Sequence, residues 1–114
     1  MNNVVGKRGE DIAADYLKKQ GYKILERNKH FSKNCEIDII AQDKKTLVFA
    51  EVKTRTTTNF GHPLEAITKT KYNNIKTGLF MYLQENNLKD MAFRIDAISI
   101  ILKPEIQIQH LKNI

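Results

Sequence analysis

The chain has 114 residues, of which 41% are apolar, and this length suits one compact domain spanning residues 1–114. Its single cysteine excludes an internal disulfide and a cysteine-rich zinc site, and its longest apolar run, Leu79–Leu83, is too short to cross a bilayer. The 19 Lys and Arg against 13 Asp and Glu give a net charge of +6, which favours a polyanionic partner, nucleic acid before an anionic membrane surface. The N-terminus lacks the apolar stretch of a secretory signal, so we expect a cytoplasmic protein that does not associate with membranes.

The first predicted element is a helix from Val4 to Gln20, because apolar residues recur there at helical spacing along one face. Gly21 is a typical C-terminal stop for such a helix. Glu10 lies at the border of the apolar face, where its carboxylate can either favour the positive helix N-terminus or face a neighbouring strand. Gly9 lies on the apolar face itself and indicates a close approach to another element.

A strand is predicted from Tyr22 to Phe31, and a basic cluster lies at its end and in the loop that follows. This cluster consists of Arg27, Lys29, His30 and Lys33. Basic side chains at such a position are either solvated surface or contacts for the phosphates of a nucleic acid. We interpret His30 as a surface residue. We interpret Cys35 as a small packed residue or a free thiol rather than a nucleophile, since the sequence identifies no partner base for it.

The segment Cys35–Arg55 contains two short apolar runs, Ile37–Ala41 and Leu47–Ala50, which predict a hairpin with a turn at residues 43–46. Side chains alternate between the two faces of a strand. Along the first run this alternation predicts one face with Ile37 and Ile39, and another with Glu36, Asp38 and Ile40.

A two-residue loop in this hairpin would place Asp38 opposite Glu51 and Glu36 opposite Lys53. Two acids across a ladder repel each other, so they need a proton, a basic group or a metal cation as a partner. Hard oxygen ligands from two strands suit Mg²⁺ or Mn²⁺. Lys53 is predicted to lie on the same side of its strand as Glu51. The pattern therefore indicates a hydrolytic site for a phosphodiester, where the metal lowers the pKa of a water. The alternative is a solvated hairpin face, which the short Glu-x-Lys pattern also describes.

The polar segment from Thr54 to Pro63 is predicted to be a loop at the rim of this site, where Arg55 could hold a phosphate. A second helix is predicted within Leu64 to Asn87, with Thr68 as its N-cap. Lys71 continues the apolar stripe of this helix into the first turn. Its ammonium could reach the acids of the hairpin, or its stem could lie along the surface.

Two further strands are predicted, one at Met91 to Leu102 and an edge strand at Glu105 to Leu111, separated by a turn at residues 103–104. Asp96 in the first of them is expected to pair with Arg94 or a nearby lysine and to have a structural role. The edge strand could pair with another chain, which makes an interaction protein a third interpretation.

The order of elements and the residues placed along it resemble the PD-(D/E)XK nuclease superfamily. More closely, they resemble the YraN-like family of small bacterial proteins, which are similar to archaeal Holliday-junction resolvases. The residues that carry this resemblance are Gly9-Glu10, Arg27-Asn28, Glu36-Ile37-Asp38, Phe49-Ala50-Glu51-Val52-Lys53 with Arg55, Lys71, and Phe93-Arg94-Ile95-Asp96. Cys35 stands where the family usually has glycine, and Ala50 where it usually has a larger aliphatic residue. Neither departure removes a catalytic group.

The resemblance implies an α/β, restriction-endonuclease-like fold of order α-β-β-β-α-β-β, in which a mixed sheet is flanked by helices. It implies that Asp38 and Glu51 bind Mg²⁺ or Mn²⁺ and that Lys53 positions or activates a water. Glu10 would add a further carboxylate, and Glu36 is a candidate accessory acid. The implied function is metal-dependent hydrolysis of DNA, with branched or structured DNA among the candidate substrates. The alternative is a nucleic-acid-binding module of the same fold without catalysis.

Four basic residues are candidates for contacts with nucleic acid: Arg27, Lys29, Arg55 and Lys71. Because resolvase-like nucleases generally act as dimers, a homodimer is a further expectation from the resemblance.

Overall fold

The computed structural model describes residues 3–57 and 67–114. Within these ranges the elements are α1 (Asn3–Lys19), β1 (Lys23–Ser32), β2 (Cys35–Asp43), β3 (Thr46–Arg55), α2 (Lys69–Glu85), β4 (Ala92–Ile101) and β5 (Gln107–Leu111). The predicted α/β class, with a mixed sheet and two helices, is therefore confirmed. No helix in the described ranges is long and apolar enough to cross a membrane.

The five strands form one sheet in the order β1-β2-β3-β4-β5. Neighbouring strands are antiparallel except for β3 and β4, which run parallel. A parallel pair needs a crossover connection, and the segment that contains α2 provides it. The three strands β2, β3 and β4 lie inside the sheet, which explains why their sequences are the most continuously apolar.

Each face of the sheet is covered by one helix. The core under α1 includes Ala13, Ala14, Leu17, Ile39, Ala41, Val48, Ala50, Val52, Ile98 and Ile100. The core under α2 includes Ile37, Ile40, Leu47, Phe49, Ile75, Leu79, Tyr82, Leu83 and Ile95. The apolar stripes predicted for both helices are confirmed, because they are the surfaces that these cores bury.

The β2–β3 hairpin has the predicted register, since Asp43 pairs with Thr46 and the ladder continues to the pair Ile39–Ala50. Beyond that pair the strands diverge, and the expected alternation of side chains fails. Ile37 belongs to the core under α2, whereas Ile39 belongs to the core under α1, so the shared face predicted for them is wrong. The physical reason is that β2 leaves β3 at this point and continues beside β1 alone, which lets the strand twist.

The strand β3 is longer than predicted. The sequence predicts a loop from Thr54 onward, but Thr54 and Arg55 pair in parallel with Ile100 and Ile101 of β4 and so continue the strand. Thr54 also lies against Gly9 of α1, where a Cβ atom would overlap the threonine hydroxyl. This contact confirms the close approach that Gly9 predicts.

The boundaries of the helices follow the predicted signals. Gly21 has a φ of 94° just after α1, a conformation that glycine adopts without strain. The Thr68 side chain accepts a hydrogen bond from the Lys71 backbone N–H at 3.0 Å and caps α2, as predicted. Residues 58–63 of the predicted loop and residues 64–66 before α2 lie outside the described residues.

Candidate active site

Two carboxylates lie together where β2 and β3 diverge, as the predicted register requires. The Glu51 residue is 3% exposed. Oδ2 of Asp38 accepts a hydrogen bond from the Val52 backbone N–H at 2.9 Å. Burial, and then the adjacent negative charge of Glu51, raise the pKa of Asp38 to about 7. The charged form of Asp38 is therefore disfavoured, which is a condition that a nearby cation would relieve.

Lys71 in the first turn of α2 lies next to these acids. Its ammonium contacts Oε2 of Glu51, and this side chain is 44% exposed while that of Glu51 is 4% exposed. Burial opposes the ammonium charge, but the hydrogen bond and charge of Glu51 outweigh it and raise the pKa of Lys71 above its usual value. Of the two alternatives predicted for Lys71, the structure shows the one in which it reaches the hairpin acids.

A cavity of about 250 Å³ opens onto these three charged groups. Its lining consists of His30, Lys33, Asn34, Glu36, Asp38, Glu51, Lys71, Asn74 and Ile75. The acids are thus accessible to a small ion, and the surrounding side chains are mostly polar or basic.

Lys53 borders a second space, beside the cavity of the acid pair. It lines a wider cleft of about 610 Å³, together with Glu10, Asn28 and Glu36. Thr54 and the first turns of α1 complete this cleft, and neither Asp38 nor Glu51 lines it. Glu36 borders both spaces, so the two cavities adjoin along the start of β2. The structure therefore brings Lys53 close to the acid pair but not into its cavity.

Glu10 faces the sheet rather than only stabilising the N-terminus of its helix. Burial raises the pKa of Glu10, a hydrogen bond with Asn28 opposes this shift, and the charge of Asp38 adds to it. Asn28 belongs to β1, where its φ of 52° is the left-handed conformation that asparagine tolerates. Glu10 is therefore within electrostatic range of Asp38, and of the two alternatives predicted for it, the one facing a neighbouring strand is observed.

A third acid, Glu36 of β2, has its neighbour on β1. The exposed carboxylate of Glu36 lies 3.4 Å from Nε2 of His30, so Glu36 faces a histidine rather than Lys53, the partner that the predicted register gave it. The reason is again that the β2–β3 ladder ends before Glu36 is reached. His30 is largely exposed, which confirms its interpretation as a surface residue.

The other candidate basic residues lie on the edge strand β1 and at the end of β3. Arg27 donates to Oδ1 of Asp11 at 2.7 Å and so ties β1 to α1. The Lys29 ammonium lies 5.8 Å from the centre of the Phe31 ring. Arg55 ends β3. None of these residues lines the cavity of the acid pair, so a contact with phosphate would take place outside it.

Cys35 is buried, as predicted, and its thiol donates to the backbone carbonyl of Asn74 at 2.8 Å. Burial raises the pKa of this thiol, which disfavours a reactive thiolate. Gly78 of α2 packs directly above, where a Cβ atom would lie 2.9 Å from the sulfur. A packing role therefore accounts for Cys35.

The donor set fits a hard divalent cation with two protein ligands. Mg²⁺ is usually bound through one or two carboxylates, and water and substrate phosphates complete its coordination. Asp38 and Glu51 supply two such carboxylates beside a cavity that admits water. Over residues 3–57 and 67–114 no group of three or more His, Cys, Asp or Glu side chains is assembled for a metal. The protein groups would thus be Asp38 and Glu51, and they suit Mg²⁺ or Mn²⁺ better than an ion that needs a complete protein shell.

A second buried polar cluster lies around Asp96 on β4. Its carboxylate accepts hydrogen bonds from Nε of Arg94 at 2.9 Å, from the Asn113 backbone N–H at 2.9 Å and from Nε2 of His110 at 2.7 Å. Burial alone would raise the pKa of Asp96, but the hydrogen bonds from His110 and Arg94 outweigh it and hold the pKa below its usual value. The predicted pairing with Arg94 is confirmed.

His110 is the member of this cluster that the sequence does not reveal. Its Nδ1 lies 3.0 Å from the Tyr16 hydroxyl of α1, so it joins β5 to the helix as well as to β4. A single histidine in a short alternating strand carries no signal of such a contact. Only the register that sets Ile98 opposite His110 brings it beside Asp96.

These features define an α/β protein with an acid pair at the open end of its central hairpin. The chain matches the uncharacterised protein family UPF0102 over residues 9–100 and belongs to this family. It is 40% identical to a UPF0102 protein of Syntrophomonas wolfei over 99% of this chain and 98% of the relative. It is 42% identical to one of Geobacter sulfurreducens, over 98% of this chain and 88% of the relative. Its identity with one of Caldanaerobacter subterraneus is 48%, over 89% of this chain and 82% of the relative.

Proposed function

We propose that this protein is a metal-dependent endonuclease of the PD-(D/E)XK superfamily, with a restriction-endonuclease-like fold, and that it hydrolyses phosphodiester bonds of DNA. The observation that carries the proposal is the acid pair Asp38 and Glu51, held together at the diverging end of a hairpin and open to a cavity. Placing two carboxylates together in a protein interior is costly. Binding a cation for a cation-dependent reaction would explain why the protein keeps this costly arrangement.

The chain's own residues divide the work between the two cavities. Asp38 and Glu51 would hold the cation, which when bound would stabilise charge on the phosphate and lower the pKa of a water. Lys53, in the wider cleft that adjoins this cavity at Glu36, would orient the phosphate or the attacking water. Glu10 adds a carboxylate on the α1 side of the same cleft, where it strengthens the negative field around the cation.

The charge of the protein supports a polyanionic substrate. The net charge is +6, and Lys7 and Lys53 line the wider cleft beside the hydroxyl side chains of Thr54 and Thr56. Ammonium and hydroxyl donors are the groups that bind phosphate oxygens. We propose that a DNA backbone follows this cleft, with Arg27, Lys29, Arg55 and Lys71 as additional candidate contacts. The homodimer stays a prediction.

The test is a cleavage assay in Mg²⁺ or Mn²⁺ on single strands, duplexes, flaps and four-way junctions. Glu51→Gln is expected to abolish the metal-dependent product, because it removes one carboxylate while keeping the shape of the side chain. Glu85→Gln, at an exposed glutamate that ends α2, is the matched control and should cut like the parent protein. Cleavage by Glu51→Gln at the parent rate would show that the site is assigned incorrectly.

One observation favours a second candidate, a nucleic-acid-binding module without catalysis. The contact between Lys71 and Glu51 already supplies a positive charge to the acid pair, as such a module would require. This candidate predicts salt-dependent binding of DNA or RNA with no metal-dependent change in the substrate. The same substrate panel separates the two candidates, because only the endonuclease converts a bound substrate into products.

A further inference from the structure

We propose that Lys71 is an exchangeable counter-cation of the acid pair, which occupies Glu51 while the metal is absent and leaves it when a divalent cation binds. The inference rests on the proposed metal-dependent function and adds a means of regulation to that site. It assigns opposite roles to two lysines, since Lys71 would compete with the metal whereas Lys53 would act beside it.

The positive charge of Lys71 lies at the buried acid of the pair. The Glu51 side chain is 4% exposed, and its Oε2 contacts the Lys71 ammonium. A buried carboxylate with a second carboxylate next to it is strongly destabilised unless a cation accompanies it. Lys71 is therefore a protein group that satisfies Glu51 in the same cavity that a metal would enter. The Lys71 ammonium and a metal ion cannot occupy the same position at Oε2 of Glu51 at the same time.

Lys71 can leave Glu51 by a rotation of its own side chain. The Lys71 side chain is 44% exposed, so much of it meets solvent although its ammonium contacts Glu51. Lysine is a flexible chain with a strongly hydrated ammonium, and it can rotate outward without moving the helix. The cavity of about 250 Å³ would then have room for a hydrated cation, because a water takes about 30 Å³ in the liquid.

Two neighbouring lysines lie in positions that differ from that of Lys71. Lys53 lines the wider cleft and not the cavity of the acid pair, so it does not occupy the metal position. Lys76, about one turn further along α2, lies with its ammonium 5.9 Å from the centre of the Tyr72 ring. Among the lysines of residues 3–57 and 67–114, Lys71 is the one whose ammonium forms an ion pair with Glu51. Competition with the metal is therefore expected from Lys71 and not from these two.

The experiment is a calorimetric titration of Mn²⁺ into the parent protein, Lys71→Met and the matched control Lys76→Met. Lys71→Met keeps a long flexible side chain but removes the charge, so we expect it to bind Mn²⁺ about tenfold more tightly than the parent or better. A tenfold gain corresponds to ~1.4 kcal/mol of lost competition. Lys76→Met should bind like the parent. Glu51→Gln should lose binding, which shows that the titrated site is the acid pair.

A second readout follows the stability of the protein without metal. In the presence of a chelator, Lys71→Met should melt at a lower temperature than the parent, because it leaves two carboxylates without this cation. Saturating Mn²⁺ should then raise its melting temperature by more than it raises that of the parent. Lys71→Arg keeps the positive charge and can bind a carboxylate through two hydrogen bonds, so it should bind Mn²⁺ more weakly than the parent.

The outcomes separate this inference from the proposed function. If Lys71→Met binds Mn²⁺ no more tightly than the parent while Glu51→Gln loses binding, the exchange is refuted and the metal site stands. If Lys71→Met does not fold, Lys71→Arg decides, and parent-like or tighter binding by that variant refutes the exchange. If neither the parent nor any Lys71 variant binds Mn²⁺, both the exchange and the metal-dependent function are refuted.

Discussion

The backbone N–H of Val52 donates a hydrogen bond of 2.9 Å to Asp38, although the ladder between their strands has already ended at Ile39 and Ala50. This hydrogen bond spans the opening between the diverging strands and holds the Asp38 carboxylate beside Glu51. In a regular ladder, the Val52 N–H would pair with another backbone group. Because the hairpin diverges here, it pairs with the Asp38 side chain instead, and this arrangement forms the acid pair.

The raised pKa of Asp38 predicts how stability depends on pH. The pKa rises from 3.8 to about 7 on folding, so between these values the folded protein binds more protons than the unfolded chain. The free energy of unfolding of the metal-free protein should therefore fall as the pH rises through this window, by up to ~1.4 kcal/mol per pH unit. Asp38→Asn should remove this contribution, as measured by urea denaturation with a chelator present.

The control for this prediction is Asp15→Asn, at an exposed aspartate on α1. Its stability should follow the parent curve at every pH. The prediction fails if the curves of Asp38→Asn and the parent run parallel from about pH 4 to about pH 7, because the Asp38 carboxyl would then titrate alike in both states.

Lys53→Met is expected to separate metal binding from catalysis. Lys53 lines the wider cleft rather than the cavity of the acid pair, so Mn²⁺ should bind the variant with the affinity of the parent. Cleavage should fall by roughly 10²-fold or more, since the group proposed to orient the phosphate or water is lost. Lys45→Met, at the exposed turn between β2 and β3, should leave both quantities unchanged. A gain of Mn²⁺ affinity in Lys53→Met would instead place this ammonium at the acid pair, as a competitor of the metal.

Gly9→Ala is expected to destabilise the fold by roughly 1–3 kcal/mol, as overpacked sites do. The added Cβ atom would overlap the Thr54 hydroxyl and lie 2.7 Å from its Cγ2, so α1 would have to move away from β3. Gly6→Ala is the control on the same helix, where nothing lies within 4 Å of the new atom. There alanine should be neutral or stabilise by up to ~1 kcal/mol, because it favours helix more than glycine does. Urea denaturation of both variants checks the contrast, and equal stabilities would refute it.

Asp96→Ala is expected to cost about 3–5 kcal/mol of stability, because it leaves Arg94 and His110 without their shared buried partner. At a temperature where the variant is folded, its affinity for Mn²⁺ should equal that of the parent, since Asp96 lines neither of the two cavities. Thermal denaturation and calorimetric titration measure the two quantities. A loss of only a few tenths of a kcal/mol would mean that the cluster is not structural.

The features that the sequence by itself determined are those that depend on neighbours along the chain. The stripe of α1, the Thr68 cap and the stop at Gly21 each follow from local spacing and from the conformational preference of one residue. The register of the β2–β3 hairpin follows from its two-residue loop. Because this register extends toward Asp38 and Glu51, the acid pair could also be predicted.

The tertiary structure decided the features that depend on where strands diverge and on which elements come into contact. It set Ile37 and Ile39 in different cores, it formed the wider cleft beside Lys53, and it joined His110 to Asp96. It also selected between the two alternatives for Lys71, since the reach of that ammonium depends on how α2 packs on the sheet. A local pattern contains neither the twist at which β2 leaves β3 nor the distance between residues far apart in the chain. For this reason the sequence could predict the acids, and only the packed sheet could show which cation meets them.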